Sequence, residues 1–456
     1  MAPGPPSSRG AWHSRAGFLM AAAGSAVGLG NVWRFPYITG ENGGGLFVVI
    51  YLACVALLGL PILIAEVLLG RATGLSAVGA FRRLGGPRTP WAGVGMLGVA
   101  AAVVILSFYS VVAGWAIHYT ALSTRGALAG LSAERIAETF GQLAADPLLS
   151  TAWMVLFMAL TTWVVARGVH RGLERTAQVL MPILLALLLL LLVRAAGLPG
   201  FGPGLRFVFG LHADELTAGG VLEALGHAFF TLSVGIGGLL AYGSYLDRET
   251  DVPKAGLAIA GLDTLIALLS CAVLFPIIFT HGQEPSQGPG LIFVNLPIAF
   301  SGMAGGSFLA AVFFVLLVLA ALTSTISLLE VVTAYLVDQR RWTRRRATLL
   351  SGGAITLLAV PSALAGGPGF FGEGLRARLG GSWLDLAADI SSNWMVPLGG
   401  LGIALFAAWR WNDLDRQREF GRSSRLAGLY LIWLSLLRWL VPVAVVVVFL
   451  HAVGVI

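Results

Sequence analysis

Two short, distant stretches of this 456-residue chain share one pattern: residues 24–31 read GSAVGLGN, and residues 231–238 read TLSVGIGG. Both lie inside apolar segments, and both contain the sequence Val-Gly-x-Gly. A single glycine-rich run in a membrane helix is typical of close packing between helices. Two such runs at corresponding places in two halves of a chain instead predict a pair of helices that are interrupted in mid-membrane.

The composition of the chain excludes an ordinary water-soluble protein. Hydrophobic residues make up 57% of the sequence and charged residues 11%, whereas soluble domains average about 45–50% and about 25%. The same values exclude disorder and a disulfide scaffold. The net charge of +7 comes from short arginine tracts between apolar runs, so it does not indicate nucleic-acid binding. We expect an all-α polytopic membrane protein.

Eleven segments meet the requirement of about 20 mostly apolar residues for a membrane helix. We number them span 1 to span 11, with predicted bounds 15–40, 44–70, 91–122, 150–167, 174–196, 219–246, 255–281, 303–338, 347–364, 384–410 and 426–453. The connecting intervals 125–149, 197–218, 282–302 and 365–383 are rich in Gly and Pro or polar, and they are predicted to be loops. Within the third interval, the apolar stretch Gly290–Ser301 is too short to span and predicts a re-entrant or surface helix.

The distribution of Lys and Arg predicts the orientation. With the N-terminus in the cytoplasm, 21 of the 29 basic residues lie on the cytoplasmic side and six on the outer side. Because basic residues favour the cytoplasmic side of a membrane, we expect a cytoplasmic N-terminus in the plasma (inner) membrane. An odd number of spans then places the C-terminus outside.

The two glycine runs also predict an internal repeat, because spans 1 and 6 are five spans apart. A five-span unit that is repeated once must be inverted, since an odd number of crossings reverses the chain direction. We therefore predict one transmembrane domain with a first repeat over 15–196, an inverted second repeat over 219–410 and an additional helix over 426–453. Unwound backbone is tolerated in a membrane only where it lines a cavity. There, half-helix N-termini suit a carboxylate and freed carbonyls suit Na⁺.

The residues around both breaks resemble a known family. The blocks at Gly24–Pro36 (GSAVGLGNVWRFP) and Glu41–Gly45 (ENGGG), followed by Gly59–Pro61 and Glu66, are similar to the first two helices of the neurotransmitter:sodium symporter family. Later blocks agree in order and spacing: FFTLS at Phe229–Ser233, Leu322–Ser324, Asp338 and PLGG at Pro397–Gly400. The resemblance covers essentially the whole chain and is to the bacterial amino acid transporters of the eleven-helix type. It implies a sodium-coupled symporter that works by alternating access, and no enzyme.

This resemblance implies two sodium sites built from hard oxygen ligands. The first would use the Ala26 carbonyl, Asn31, Thr231, Asp263 and the substrate carboxylate. The second would use the carbonyls of Gly24, Val27 and Ala320 with the hydroxyls of Thr323 and Ser324.

Asp263 stands where relatives usually have Asn. We hypothesise that its charge replaces the chloride ion that many relatives bind, at positions matching Tyr51, His227, Thr231, Asp263 and Ala267, so that chloride is not required.

The resemblance also implies a substrate site and two gates. The substrate site would comprise Ser25, Ala26, Gly28, Leu29, Gly30, Ile105, Tyr109, Phe230, Thr231, Ser233, Ile236, Ser324 and Leu328. The outer gate would pair Arg34 with Asp389, with Asp385 as the alternative acid. The cytoplasmic gate would pair Arg9 with Asp338, near Trp12 and Tyr245.

Two departures from the family pattern bear on the substrate. Gly28 occupies the position at which monoamine-transporting relatives have Asp, which favours a substrate with its own carboxylate. Ile236 replaces a larger aromatic residue of leucine-selecting relatives, which favours a large aliphatic or aromatic L-amino acid.

Two alternative functions stay open: an amino-acid-binding transceptor with little transport, and a proton-coupled transporter that uses Asp263 or His227. We expect a monomer or weak homo-oligomer.

Overall fold

A computed structural model describes residues 10–211, 217–282 and 290–452, and within these ranges all regular secondary structure is helical, as expected. The spans comprise Arg15–Ala26 with Gly30–Glu41, Gly45–Thr73, Ala92–Thr124, Pro147–Ala166, Val169–Ala196, Ala218–Thr231 with Gly238–Gly243, Val252–Thr280, Gly306–Arg340, Arg344–Ala363, Trp383–Arg410 and Ala427–Leu450. Within the described ranges, eight helices are long and apolar enough to cross a membrane, and the bent pair of span 1 makes nine. Helices thus cover all eleven predicted positions, while the count of eleven crossings stays a prediction.

The intervals that the sequence predicted to be loops contain short helices, so that prediction was incomplete. These helices are Ala133–Ala145, Phe201–Phe209, Leu291–Ser301 and Phe370–Gly374 with Leu375–Leu379. The first is amphipathic and buries Ile136 and Leu143 against the protein, which a search for long apolar runs does not detect. Leu291–Ser301 is the short apolar helix expected at 290–301, and Phe293 stacks on Phe140 at a ring distance of 5.3 Å.

Span 1 is interrupted where the glycine run predicted it. Its first helix ends at Ala26, and Val27 takes an extended conformation with φ −68° and ψ 109°. Helical structure resumes by Gly30, and the two parts meet at an angle of 50°. The backbone nitrogen of Leu29, freed by the break, donates to the Tyr109 hydroxyl of span 3 at 2.7 Å.

Span 6 is interrupted between Thr231 and Gly238. Gly235 and Gly237 have φ values of +87° and +84°, which L side chains rarely adopt. A side chain at Gly399 of span 10 would collide with the Gly235 carbonyl. The glycines of the PLGG block therefore let span 10 approach the break in span 6.

Spans 3 and 8 flank both breaks. Span 8 packs along span 3 and also contacts the first half of span 1. Gly98 of span 3 lies so close to the Ile236 carbonyl that a side chain there would collide with it. The two interrupted helices are consequently enclosed in the protein interior, where their free backbone groups are shielded from lipid.

Candidate functional site

A polar cluster joins the break in span 1 to spans 6 and 7. The Asn31 side-chain nitrogen donates to Asp263 Oδ1 at 2.7 Å and to Thr231 Oγ1 at 3.0 Å, and the Asn31 side-chain oxygen accepts from the Gly28 nitrogen at 2.9 Å. Thr231 also donates to the Asp263 carboxylate at 3.1 Å. All three side chains are buried. The structure therefore brings together the three side chains that the resemblance implied for the first sodium site.

A second oxygen cluster lies between the break in span 1 and span 8. The Ser324 hydroxyl is 3.2 Å from the Val27 carbonyl, and the Thr323 hydroxyl is 3.4 Å from the same oxygen and 2.9 Å from the Ala320 carbonyl. A Cβ atom at Gly24 would lie 3.2 Å from the Thr323 side chain. The five residues implied for the second sodium site are thus neighbours across spans 1 and 8.

A small cavity of about 20 Å³ lies between the two breaks, which we call the inner cavity. Its lining comprises Ala26, Gly28, Gly30, Ile105, Tyr109, Phe230, Thr231, Ser233, Ile236, Ser324 and Leu328, all of them expected substrate residues. The two other expected residues stand just behind this lining. The Ser25 carbonyl accepts from the Ser233 hydroxyl at 2.9 Å, and Leu29 bonds to Tyr109.

The inner cavity has an apolar side and a backbone side. Ile105, Ile236 and Leu328 supply aliphatic surface. At Gly28, which also lines the cavity, a side chain would collide with the Ser324 hydroxyl and would lie 2.5 Å from the Tyr109 hydroxyl. The absence of a side chain at Gly28 therefore leaves the backbone of the first break accessible from the cavity.

A larger outer cavity of about 370 Å³ adjoins the inner one, and both are lined by Gly30, Tyr109 and Phe230. The Arg34 guanidinium lies over the Phe230 ring, 5.3 Å from its centroid. The aromatic ring and the cation together separate the two cavities.

The acids expected to pair with Arg34 both line the outer cavity. Asp385 caps the start of span 10 by accepting from the Ser382 nitrogen at 2.9 Å, whereas Asp389 accepts from Asn393 at 2.5 Å. Across the described ranges, neither acid forms an ion pair with Arg34. Since Asp385 is engaged in the helix cap, Asp389 stays our prediction for the outer gate.

Trp12 closes the side of the site that lies near the start of span 1. Its indole nitrogen donates to the Tyr242 carbonyl at 2.9 Å, and its backbone nitrogen donates to the Tyr245 carbonyl at 3.3 Å. Asp338 accepts from the Ser76 nitrogen at 2.6 Å. Arg9, the expected partner of Asp338, lies outside the described residues.

Sequence reasoning missed a buried ion pair beside this closure. Glu330 of span 8 accepts from Arg344 of span 9 at 2.9 and 2.5 Å and from the Tyr245 hydroxyl at 2.5 Å. A glutamate inside a predicted apolar span was a signal, because ionisable residues inside a membrane are costly unless they are paired.

A second missed residue is Glu174 at the start of span 5. Its buried carboxylate accepts from the His13 nitrogen at 2.8 Å, from the Ser14 nitrogen at 3.0 Å and from the Ser14 hydroxyl at 2.9 Å. His170 lies 3.0 Å from the same carboxylate. Glu174 therefore fastens the first turn of span 1 to span 5.

Tyr51 and Thr231, two of the residues matched to the chloride position of relatives, contact the Asp263 side chain. Tyr51 is 3.5 Å from the Asp263 carboxylate, and the buried His227 ring stacks on Phe35 at 5.7 Å. Within the described part of the chain, neither ring nitrogen of His227 has a hydrogen-bond partner.

Known proteins share this arrangement of helices and sequence. The model of the sodium:neurotransmitter symporter family matches residues 9–140 and 135–368. The sodium-dependent transporter YhdH of Bacillus subtilis is 37% identical over 97% of this chain and 98% of its own length. The sodium-dependent serotonin transporter of Drosophila melanogaster is 29% identical over 79% of this chain and 65% of its own length. The crystal structure of MhsT in complex with L-phenylalanine superposes with a TM-score of 0.89 at 42% identity, covering 98% of this chain and 100% of that chain.

Proposed function

The chain belongs to the sodium:neurotransmitter symporter family, a family of sodium-dependent membrane transporters, and on that premise we propose that it imports a hydrophobic L-amino acid together with Na⁺. The observation that carries this proposal is the meeting of two unwound segments around one cavity, with an oxygen cluster on each side of the first break.

The lining of the inner cavity supports an α-amino acid as the substrate. A substrate carboxylate would meet the Tyr109 hydroxyl and the start of the second half of span 1, where the positive end of the helix dipole favours an anion. Since a side chain at Gly28 would collide with Ser324, the cavity has no room for an acid that could pair with a monoamine.

The apolar side of the cavity supports a large aliphatic or aromatic side chain. Ile105, Ile236 and Leu328 offer hydrophobic surface next to the Phe230 ring. The L-phenylalanine held by the similar protein MhsT fits the same chemistry. The inner cavity must expand around such a substrate, and the outer cavity supplies adjoining space.

Two sodium ions are the expected cargo. At the first site, Asn31 would turn its amide so that the oxygen replaces the nitrogen near Asp263. At the second, Ser324 and Thr323 would turn their hydroxyl hydrogens away from the Val27 carbonyl, which leaves only oxygen atoms facing the ion. Carbonyl, carboxylate and hydroxyl oxygens are the ligands that hard cations prefer.

Asp263 supports a cycle without chloride. Two Na⁺ ions add two positive charges, which the substrate carboxylate and Asp263 offset, while backbone carbonyls meet the substrate ammonium. The Asp263 side chain is buried beside Tyr51, where a carboxylate can take the place of an anion.

The proposed cycle is alternating access from an outward-facing state. The outer cavity reaches Phe230, while Trp12 closes the cytoplasmic side. Substrate and Na⁺ would therefore enter past Arg34. They would leave on the cytoplasmic side after Trp12 and the first half of span 1 move away. At 100 mV each Na⁺ gains about 2.3 kcal/mol from the membrane potential. A tenfold gradient adds roughly 1.4 kcal/mol per ion. Two ions therefore supply about 7 kcal/mol, enough for a roughly 10⁵-fold substrate gradient.

Uptake of labelled amino acids into proteoliposomes tests this function. We expect accumulation of phenylalanine, tryptophan or leucine under an inward Na⁺ gradient, and none in choline buffer. Uptake should persist when gluconate replaces chloride. Ligand binding without accumulation would support the transceptor alternative, and uptake driven by a pH gradient in sodium-free buffer would support proton coupling.

A further inference from the structure

An apolar groove on the outside of the bundle is separate from the transport pathway. It lies between spans 2, 7 and 11 and has a volume of about 160 Å³. Its walls include Leu60 and Ile64 of span 2, Leu257 of span 7, and Ile432 and Leu436 of span 11. We call it the span 2–7–11 groove.

The walls of this groove are held by specific contacts. The Trp433 indole donates to the Pro61 carbonyl at 3.0 Å, which ties span 11 to span 2. Trp433 also packs on Phe420 at a ring distance of 4.9 Å. Phe420 belongs to the helix Asp413–Gly421, and the buried Arg416 fixes this helix by donating to the Tyr430 hydroxyl at 2.9 Å. The groove is therefore preformed.

One end of the groove is bordered by basic residues. Lys254 follows the lining residue Pro253, Arg425 precedes the lining residue Leu426, and both are exposed. Arg422 lies two residues after Phe420, and within the described residues its Nε atom donates no hydrogen bond. Because spans 7 and 11 both begin here, this end faces the cytoplasm in the proposed orientation.

The acids near this rim already have partners. Asp251 caps span 7 by accepting from the Lys254 nitrogen at 3.1 Å and also accepts from the Arg425 nitrogen at 3.2 Å. Glu419 pairs with the buried Arg71 at 2.7 Å and lies 3.4 Å from Arg422. Within the described residues, the contact of Arg422 with Glu419 at 3.4 Å is the one ion pair formed by these three cationic side chains at the mouth of the groove.

We propose that the span 2–7–11 groove binds an anionic phospholipid of the cytoplasmic leaflet, with one acyl chain in the groove and the phosphate on Lys254, Arg422 and Arg425. An apolar groove alone suits any hydrocarbon, but three cations at its mouth select a headgroup with net negative charge. A zwitterionic headgroup brings its own ammonium, which these side chains repel. The proposal depends on the proposed orientation and not on the identity of the transported substrate.

The single lysine of the chain, Lys254, makes the site directly measurable. The full-length protein, purified in a neutral detergent, is treated with an amine-reactive acylating reagent, and the acylation of Lys254 is followed by peptide mass spectrometry. We expect phosphatidylglycerol to slow the acylation by about fivefold or more, and phosphatidylcholine with the same acyl chains to have little effect. Glycerol phosphate should not protect, since it lacks the acyl chain.

Two variants separate the parts of the site. The first variant, Leu257→Trp, fills the groove from an exposed position. The second, a double variant with Arg422→Gln and Arg425→Gln, removes two positive charges from the rim. Each variant should abolish the protection of Lys254 by phosphatidylglycerol. Arg345→Gln, which changes an exposed arginine in the first turn of span 9, is the matched control and should keep the protection. Equal protection by phosphatidylcholine, or full protection in Leu257→Trp, would overturn the proposal. Because no transport is measured, these outcomes are independent of the proposed function.

Discussion

The Glu66 carboxylate of span 2 accepts a hydrogen bond from the backbone nitrogen of Gly235, in the break of span 6, at 2.6 Å. Its other oxygen accepts from the Leu240 nitrogen at 3.2 Å. A side chain of the intact span 2 thus replaces the backbone partners that span 6 loses where it unwinds.

Replacing Glu66 by Ala should therefore destabilise the fold around the break. Two buried N–H groups lose their acceptor, and each such loss costs about 1–3 kcal/mol. We expect a clear fall in the thermal unfolding temperature and loss of sodium-dependent substrate binding, with a smaller fall for Glu66→Gln, which keeps one oxygen. Glu138→Ala, at an exposed site, is the control. Wild-type stability and binding in Glu66→Ala would contradict the role of this carboxylate.

Gly28→Ala should block the substrate site without unfolding the protein. The added methyl group collides with the Ser324 hydroxyl and comes within 2.5 Å of the Tyr109 hydroxyl, so both hydroxyls must move. We expect amino acid affinity to fall at least tenfold, about 1.4 kcal/mol, in a scintillation proximity binding assay. Gly226→Ala is the matched control, because a Cβ atom there has open space. Unchanged affinity in Gly28→Ala would mean that the substrate lies elsewhere.

The breaks and the residues around them could be predicted from the sequence because their signals are local. The Val-Gly-x-Gly runs at 27–30 and 234–237 coincide with the interruptions, since glycine tolerates unwinding and positive φ values. The blocks that contain Asn31 and Thr231 resembled a known family closely enough to imply that they lie together.

Features that depend on packing between distant segments could not be predicted. Glu330 and Arg344 lie on different helices, and no spacing rule connects an acid with the arginine it binds. The pattern of residues also did not distinguish Asp385 from Asp389, because both lie on the side of span 10 that faces the outer cavity. The helix cap made by Asp385 is the structural feature that distinguishes the two acids as candidates for the outer gate.

Asp263→Asn should make transport depend on chloride. The substitution keeps the shape of the side chain and removes one negative charge beside the proposed first sodium site, so the occupied site becomes more positive by one charge. A small anion next to Tyr51 and Thr231 would offset that charge. We expect slow uptake in the variant that chloride stimulates several-fold, measured against gluconate, while the unaltered protein shows no such stimulation. Chloride-independent uptake by Asp263→Asn would contradict the charge argument.

Glu174→Gln should loosen the first half of span 1, which moves together with Trp12 in the proposed cycle. The carboxylate accepts from the His13 nitrogen and from the backbone and hydroxyl of Ser14, and it stands at the positive end of the helix that Ser14 caps. A neutral amide removes the charge and turns an N–H group toward these donors. We expect hydrogen exchange in residues 14–26 to become about tenfold faster, which corresponds to about 1.4 kcal/mol.

His170→Leu, which removes only one of the contacts of Glu174, should have a smaller effect, and peptides from span 8 should exchange at the wild-type rate in both variants. Unchanged exchange at 14–26 in Glu174→Gln would show that the contact of Trp12 with Tyr242 and Tyr245 is sufficient to hold span 1 in place.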